Sequence, residues 1–391
     1  MMKLARHAAL GVSLLTLSVA AVPAFAQNTM AAPANGQMSG GTSSAMNTQE
    51  PAPSVDKAVA ESETSGTQDR AHTEMAAVIK KLTDLGAKPF HTLSVEEARN
   101  QPTPADAVEA VYSEMNNGKP ATPESVGKTE NISIPGADGD IAARVYWPEG
   151  AASDAELPVV VYFHGGGWVV ATIDTYDASP RAIANQAQAI VVSVEYSKGP
   201  EHKFPAAHDD AIAAYKYVVE NAGEWNGDTD RIAVAGESAG GNLAINVAID
   251  ARDNEYTVPD AILAVYPVAG SDMNTQSYID NQNASPLGKA DVAWFVENYL
   301  NNMDEAKDPR IDLVNAELND LPPTTIIAAE IDPLLSEGEV LRDKLDEAGV
   351  EVTYQRWDGT THEFFGMGAV VPEAKDAQAL AGTRLKAAFT E

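Results

Sequence analysis

From residue 130 onward, the hydrophobic and polar positions follow two patterns, which predict two kinds of β-strand. In ENISIPGADGDIAARVYWP (130–148), apolar residues alternate with polar ones on both sides of Gly136 and Gly139, which predicts an antiparallel hairpin. Most of the later strands are continuous apolar runs, which are typical of parallel strands covered by helices on both faces. We predict them at LPVVVYF (157–163), AIVVSVEY (189–196), RIAVAG (231–236), AILAVYPV (261–268) and TTIIAAEI (324–331), with a last strand at EVTYQRW (351–357).

Stretches with helical periodicity lie between these strands. They include AAHDDAIAAYKYVVENA (206–222) and SEGEVLRDKLDEAG (336–349), and Gly349 stands where a helix C-terminus favours glycine. The alternation predicts an α/β domain with a mostly parallel central sheet, helices on both faces and antiparallel strands at its start. In such sheets ligands bind beyond the carboxyl ends of the strands, so candidate chemistry is expected in the residues that directly follow them.

The first 26 residues form a separate pattern that predicts a secretory signal peptide. Lys3 and Arg6 precede an apolar run (8–22), and the segment Ala24–Ala26 has the form of a small-x-small cleavage site. We therefore expect export to the periplasm or beyond, with cleavage after this segment. Residues 27–70 are rich in small and polar residues and predict a flexible leader. No later run reaches the roughly 18 apolar residues of a membrane span, so no span is expected.

The formal net charge of −31 at pH 7 comes from acidic residues spread along the chain. A surface of this sign repels phosphate backbones and anionic lipids, which argues against nucleic acids and membrane surfaces as partners. Because the chain contains no cysteine, disulfides and thiolate chemistry are excluded. No cluster of His and Asp residues predicts a metal site.

The predicted strand RIAVAG runs directly into G-E-S-A-G, in which Ser238 is surrounded by residues with almost no side chain. At a sharp strand-to-helix turn the flanking positions must be small, and the turn exposes the serine Oγ above the sheet. We interpret Ser238 as a nucleophile and the N–H of Ala239 as a donor to a developing oxyanion. The alternative is a glycine-rich turn in which Ser238 only caps a helix.

A second motif, HGGGW (164–168), directly follows the predicted strand LPVVVYF. Backbone N–H groups bind an oxyanion only where no side chain blocks them, so we predict Gly166 and Gly167 as further donors. His164 and Gly165 are expected to support this loop, with His164 making a structural hydrogen bond instead of acting as a base. A phosphate-binding loop is the competing interpretation, but the Gly-Lys-Ser/Thr ending that it requires is absent.

A serine nucleophile needs a base, and the base needs an orienting acid. His362 follows the last predicted strand, and Asp332 heads the loop after TTIIAAEI. The order of Ser238, Asp332 and His362 along the chain matches that of the α/β-hydrolase fold. Glu330 and Asp358 are the alternative acids, although Glu330 lies within a strand and Asp358 would need a tight turn to reach the imidazole.

With these motifs, the chain resembles the hormone-sensitive-lipase-like family of bacterial carboxylesterases (family IV) over residues 75–391. The resemblance is carried by HGGGW, VEYSKGPEHKFPAAHDDA, GESAGGNLA, LPPTTIIAAEIDPLLSEG and DGTTHEF. It implies an α/β-hydrolase catalytic domain at 126–391 and an N-terminal helical cap at 71–125.

For the site, the resemblance implies that Ser238 is the nucleophile, His362 the base and Asp332 the acid, with no cofactor. The implied substrates are esters with short to medium acyl chains, in a pocket shaped by the cap and by Trp168. Members of the family often form dimers, so a homodimer is a further expectation.

Two positions depart from the family pattern. Ser197 stands where the family usually has arginine, and Glu363 follows His362 where glycine is common. The second departure places a carboxylate beside the base and bears on the pH profile. An amidase or peptidase with the same triad is the competing enzyme, and a ligand-binding descendant without activity is the competing class of protein.

Overall fold

The computed structural model describes residues 66–152 and 154–390 of the chain. The predicted signal peptide (1–26) and residues 27–65 of the predicted leader lie outside the described residues. All of the described residues belong to one unit of the chain, Ala52–Glu391. None of the helices within the described ranges is long and apolar enough to cross a membrane.

An eight-stranded sheet forms the centre of the domain. Its strands are β1 (Lys128–Gly136), β2 (Gly139–Trp147), β3 (Leu157–Phe163), β4 (Ile190–Val194), β5 (Gly227–Glu237), β6 (Ile262–Val265), β7 (Thr324–Ile331) and β8 (Val352–Thr361). Their order across the sheet is β1-β2-β4-β3-β5-β6-β7-β8. β2 is antiparallel to both β1 and β4, and every other neighbouring pair is parallel. The predicted sheet, mostly parallel with antiparallel strands at its start, is confirmed.

Burial of the strands explains why their sequence patterns differ. Alternate residues of β3 pack on opposite faces of the sheet, with Val159 and Val161 in one hydrophobic cluster and Val160 and Tyr162 in another. Because successive side chains of a strand point to opposite faces, a strand that is covered on both faces needs apolar residues throughout. β1, at the edge of the sheet, is mostly exposed and keeps the alternating pattern.

Helices cover the sheet and connect its strands. After β1 they are Ala178–Ala187, Ala206–Asn221, Ala239–Asp253, Gln276–Asp280, Lys289–Tyr299, Leu335–Glu347 and Pro372–Ala388, and before β1 they are Thr73–Asp84, Val95–Asn100 and Pro104–Met115. Helix Leu335–Glu347 ends near Gly349, whose φ of +82° is the left-handed conformation predicted there.

The end of the predicted leader contacts the domain. The side chain of Thr67 is buried, and its Oγ1 accepts a hydrogen bond from the N–H of Ser285 at 2.9 Å. Three residues later, the Arg70 guanidinium donates to Oδ1 of Asn281 at 2.6 Å. The predicted leader boundary at residue 70 is therefore at least four residues too late. Composition could not reveal this, because one small threonine is buried here through a specific hydrogen bond.

Candidate active site

Ser238 stands at a sharp turn between β5, which ends at Glu237, and helix Ala239–Asp253. Its φ of +55° and ψ of −118° form a backbone conformation that side chains rarely adopt. Two backbone hydrogen bonds hold it, from the Ser238 N–H to the carbonyl of Val265 (2.8 Å) and from the Val268 N–H to the Ser238 carbonyl (3.1 Å). The hydroxyl makes no capping bond to the helix, so the interpretation of Ser238 as a helix cap is wrong.

The small residues around Ser238 are required by close backbone approach. A Cβ on Gly236 would lie 2.1 Å from the carbonyl oxygen of Gly240, and a Cβ on Gly240 would lie 2.0 Å from the carbonyl oxygen of Phe163. Each distance is far below a normal van der Waals contact. The glycines thus let the start of the helix pack directly against the carboxyl ends of β5 and β3.

The three residues predicted as a triad form one hydrogen-bonded chain. Nε2 of His362 lies 2.9 Å from Oγ of Ser238, and Nδ1 of His362 lies 2.7 Å from Oδ2 of Asp332. The other carboxylate oxygen of Asp332 accepts from the N–H of Leu334 at 2.9 Å. With Asp332 fixing the proton on Nδ1, Nε2 is free to accept the serine proton, and the hydroxyl can act as a nucleophile.

The environment of His362 favours its protonated form. Burial lowers the pKa of the imidazole, but the charge and hydrogen bond of Asp332 raise it, as do the charges of Glu363 and Glu237. The carboxylates prevail and leave the pKa of His362 above its ordinary value. This shift makes His362 a stronger base toward the serine hydroxyl than an isolated imidazole.

The two alternative acids lie elsewhere. Oε2 of Glu330 accepts a hydrogen bond from the N–H of Gly359 at 2.7 Å. Asp358 is exposed and pairs with the Arg356 guanidinium at 2.8 Å. Of the three candidate acids, the structure brings Asp332 to the imidazole.

The predicted oxyanion loop adopts a conformation that only glycine accommodates well. Gly166 and Gly167 have φ values of +97° and +58°, and a Cβ on Gly167 would lie 2.3 Å from the ring of Phe295. On Gly165 a Cβ would lie 2.3 Å from the Tyr176 hydroxyl. Among the described residues, the N–H groups of Gly166 and Gly167 donate to no protein acceptor. Ala239, the third predicted donor, is the first residue of the helix after Ser238, where N–H groups lack intrahelical partners.

His164 lies beneath this loop and is fully buried. Its Nδ1–H donates to the carbonyl of Gly165 at 2.7 Å, and its ring stacks on Tyr196 with the ring centres 4.4 Å apart. Burial lowers the pKa of His164 to about 4, so the ring is neutral at pH 7. These contacts agree with a structural hydrogen bond that shapes the loop.

A cavity of about 550 Å³ opens onto Ser238 and His362. Gly166 and Gly167 line it on one side, and residues of the N-terminal helices line it on another. Most of the lining is apolar, including Leu82, Phe90, Val170, Leu287, Val292 and Phe295. The N-terminal helical segment thus forms part of the wall of this cavity.

Trp168 lines the cavity, but its ring belongs to the core. Its side chain is only 2% exposed and stacks on Tyr299, with the ring centres 4.8 Å apart. Phe295, from helix Lys289–Tyr299, packs instead against the oxyanion loop and lines the cavity. Sequence reasoning missed Phe295 because no motif marks it and it lies about 130 residues beyond the loop.

Sequence reasoning also did not recognise that the carboxylates of Glu237 and Glu363, the neighbours of Ser238 and His362, are both bound by tyrosines. Glu237 accepts hydrogen bonds from the Tyr162 and Tyr266 hydroxyls at 2.6 and 2.5 Å, and Glu363 accepts from the Tyr176 hydroxyl. Burial raises the pKa of Glu237 to about 7. Their positions next to the catalytic candidates were visible in the sequence, but their tyrosine partners come from distant segments.

A serine at a strand-to-helix turn, hydrogen-bonded to a histidine and an aspartate above a mostly parallel sheet, is the arrangement of an α/β hydrolase. Within residues 66–152 and 154–390, no three His, Asp or Glu side chains form a group that could hold a metal ion.

Comparison with known proteins agrees with this class. Residues 160–366 match a family described as alpha/beta hydrolase fold. The carboxylesterase NlhH of Mycobacterium tuberculosis is 39% identical over 295 residues, which cover 73% of this chain and 91% of that enzyme. An ethyl acetate hydrolase of Pseudomonas putida is 31% identical over 74% of this chain and 88% of its own length.

Solved structures give the same result. The esterase of Pyrobaculum calidifontis superimposes with a TM-score of 0.69 at 34% identity, covering 79% of this chain and 96% of its own. A thermostable esterase from Pseudomonas putida gives a TM-score of 0.73 at 30% identity, covering 82% and 98%. The chain belongs to the hormone-sensitive-lipase-like family of α/β hydrolases, and the predicted family and fold are confirmed.

Proposed function

We propose that the chain hydrolyses carboxylic esters through an acyl-enzyme on Ser238. Named carboxylesterases and esterases among its relatives support this class of reaction. The observation that carries the proposal is the chain of hydrogen bonds from Asp332 through His362 to Ser238, which opens into the cavity. A hydroxyl in contact with a base that is itself oriented by a carboxylate is what nucleophilic acyl transfer requires.

The reaction follows from these positions. Oγ of Ser238 attacks the ester carbonyl carbon while its proton passes to Nε2 of His362. The N–H groups of Gly166, Gly167 and Ala239 stabilise the oxyanion of the tetrahedral intermediate. His362 then protonates the departing alkoxide, which leaves the acyl group on Ser238. A water molecule then gives a proton to His362 and attacks the acyl carbon, which forms a second tetrahedral intermediate. The bond between the acyl carbon and Oγ breaks as His362 returns the proton to Oγ, which releases the carboxylic acid and restores the serine.

The cavity supports esters of short to medium acyl chain as substrates. Its volume of about 550 Å³ lies within the range of small-molecule sites, and its mainly apolar lining suits a hydrocarbon chain. The charged residues on its wall are in part paired with each other, as Arg99 is with Glu201 at 2.7 Å. Neutral esters are therefore the substrates that this wall fits best.

A chain-length series tests the substrate class. The protein is assayed with p-nitrophenyl esters from acetate to palmitate, with a matched p-nitroanilide to detect amidase activity. We expect kcat/KM to be highest for acyl chains of about four to eight carbons, because longer chains exceed what the cavity encloses. Faster anilide than ester hydrolysis would favour the amidase instead.

The nucleophile is tested by Ser238→Ala. We expect kcat to fall by several orders of magnitude while the melting temperature stays near that of the wild type, because the change removes one buried hydroxyl. A correctly folded variant that retains a tenth of the wild-type kcat would contradict the assignment. Thr361→Ser, which keeps the hydroxyl that binds the His362 carbonyl, serves as a control for disturbance of the backbone that carries the base.

We also propose that the protein is exported and that its signal peptide is removed after Ala26. The support is the basic start, apolar run and cleavage site of residues 1–26. Mass spectrometry of the protein recovered from a cell fractionation would give a mature chain that starts at Gln27. Recovery of the uncleaved chain from the cytoplasm would contradict this part of the proposal.

A further inference from the structure

The residue after the proposed base is an unusual place for a glutamate. Glu363 has a φ of +73°, in the left-handed region that favours glycine. A glutamate in this conformation is strained, and strained residues near a reaction centre persist where surrounding contacts hold them. The contacts of its carboxylate are therefore informative.

The Glu363 carboxylate is bound by one tyrosine. Its two oxygens lie 2.6 and 2.7 Å from the Tyr176 hydroxyl, which donates to them. The same hydroxyl lies against the oxyanion loop, because a Cβ on Gly165 would be only 2.3 Å from it. A continuous contact thus runs from the turn that carries His362, through Glu363 and Tyr176, to the backbone beside Gly166.

The other charged and titratable groups around His362 have separate partners. Asp332, after β7, binds Nδ1, and Glu237, at the end of β5, is bound by the hydroxyls of Tyr162 and Tyr266. The Tyr266 ring also packs against the His362 imidazole, with the ring centres 4.6 Å apart. Glu363 is a further carboxylate near His362, and through Tyr176 it is connected to the oxyanion loop.

We propose that Glu363 is a positioning residue of the reaction, which holds the oxyanion loop through Tyr176 and stabilises the protonated His362 formed during acyl transfer. This inference rests on the proposed roles of Ser238 and His362. When Ser238 attacks, the proton moves to His362 and creates a positive charge on a ring that binds Asp332 and whose next residue is Glu363. A carboxylate fixed beside that charge lowers the energy of the transition state relative to the neutral ground state.

The two parts of this role are separated by two variants. Glu363→Gln removes the charge but leaves an amide oxygen that can accept from Tyr176. Without the negative charge the pKa of His362 falls, so the acid limb of the kcat/KM profile moves to lower pH, because kcat/KM requires the neutral imidazole. We expect kcat at pH 8 to fall about 3- to 10-fold as the imidazolium loses its partner.

Tyr176→Phe removes the hydroxyl that joins Glu363 to the loop. We expect kcat to fall about 3- to 10-fold with little change in KM, because the loop serves the oxyanion and not the ground-state ester. Glu363→Gly suits the left-handed backbone and guards against a folding failure of the other variants. We expect Glu363→Gly to show both the acid limb shifted to lower pH and the lower kcat, with the melting temperature of the wild type.

Glu373→Gln is the matched control, since Glu373 binds the imidazole of His72 at 2.6 Å outside the cavity. It should leave kcat and the pH profile unchanged. The inference is overturned if Glu363→Gln and Glu363→Gly both keep the wild-type acid limb and a kcat within twofold of the wild type. Ser238→Ala distinguishes this failure from failure of the proposed function, because an active Ser238→Ala variant refutes the triad itself.

Discussion

Adding one methyl group to the oxyanion loop should disable the reaction without unfolding the protein, and Gly167→Ala is the change that tests this. The new Cβ would lie 2.3 Å from Cδ1 of Phe295 and 2.9 Å from its Cβ. The ring cannot easily move aside, because it is buried and packs on Phe90 and Trp294 with centroid distances of 4.9 and 5.1 Å. The loop must therefore yield.

The size of the effect follows from these distances. Carbon atoms in normal contact are about 3.5 Å apart, so the loop must move by about 1 Å to relieve the overlap. An oxyanion donor works at about 2.7–3.1 Å, and a shift of that size removes at least one such contact. Loss of one donor typically lowers kcat about 100- to 1,000-fold, or about 3 kcal/mol, so we expect that fall with KM nearly unchanged.

The assay measures kcat and KM with p-nitrophenyl butyrate together with the melting temperature. Gly349→Ala is the matched control, because Gly349 also has a positive φ (+82°) but has open space where the Cβ would lie. Both variants bear a backbone penalty of about 1 kcal/mol, yet only Gly167→Ala should lose kcat. The Phe295→Ala background tests the cause, because it lacks the obstructing ring. There, adding Gly167→Ala should lower kcat less than Gly167→Ala does in the wild-type protein.

A folded Gly167→Ala variant with kcat within threefold of the wild type would refute the reasoning. The loop would then tolerate the displacement, and its N–H groups would not be oxyanion donors. A raised KM with an unchanged kcat would instead assign the loop to substrate binding.

Three further changes test other parts of the structure. Asp332→Asn should lower kcat about 10,000-fold because it imposes the wrong tautomer on His362, whereas Glu330→Gln should keep kcat within threefold of the wild type. The reverse ranking in steady-state assays would refute the assignment of the acid. Deletion of residues 27–65 should leave the melting temperature and kcat unchanged, whereas deletion of residues 27–70 should lower the melting temperature. Equal melting temperatures for the two truncated proteins would contradict the packing seen at Thr67. Trp168→Ala should lower the free energy of unfolding by about 3–5 kcal/mol in urea titrations, because it empties a core position. A change in chain-length preference with no loss of stability would contradict this core role.

Much of the fold was predictable from the sequence because the sheet is buried on both faces. β3 and β7 have the bounds that their apolar runs predict, because each run fills the length of a strand that is buried on both faces. The hydrogen-bonded trio was predictable for a related reason. In a parallel sheet the carboxyl ends of the strands lie at one edge, so residues that follow β5, β7 and β8 are brought together although they are far apart in the chain.

The rest depended on packing between distant segments, which no local pattern encodes. Trp168 lines the cavity, as its place after HGGG predicts, but its ring is buried against Tyr299, more than 100 residues later. Thr67 looks like part of a flexible leader, yet it accepts a hydrogen bond from the N–H of Ser285. In both cases the partner's position is set by the tertiary fold and not by the residues around the site.

Helix Lys289–Tyr299 connects the wall of the cavity to the proposed oxyanion loop. Asp291, in its first turn, accepts a hydrogen bond from the backbone N–H of His91 at 3.0 Å, and the Trp294 indole N–H donates to the carbonyl of Leu93 at 3.1 Å. Both partners belong to the N-terminal segment whose residues line the cavity. Phe295, the residue after Trp294 in the same helix, packs against Gly167. We therefore expect that a change which moves the N-terminal segment to admit a larger substrate also displaces Phe295 and the loop, so that chain-length preference and kcat change together.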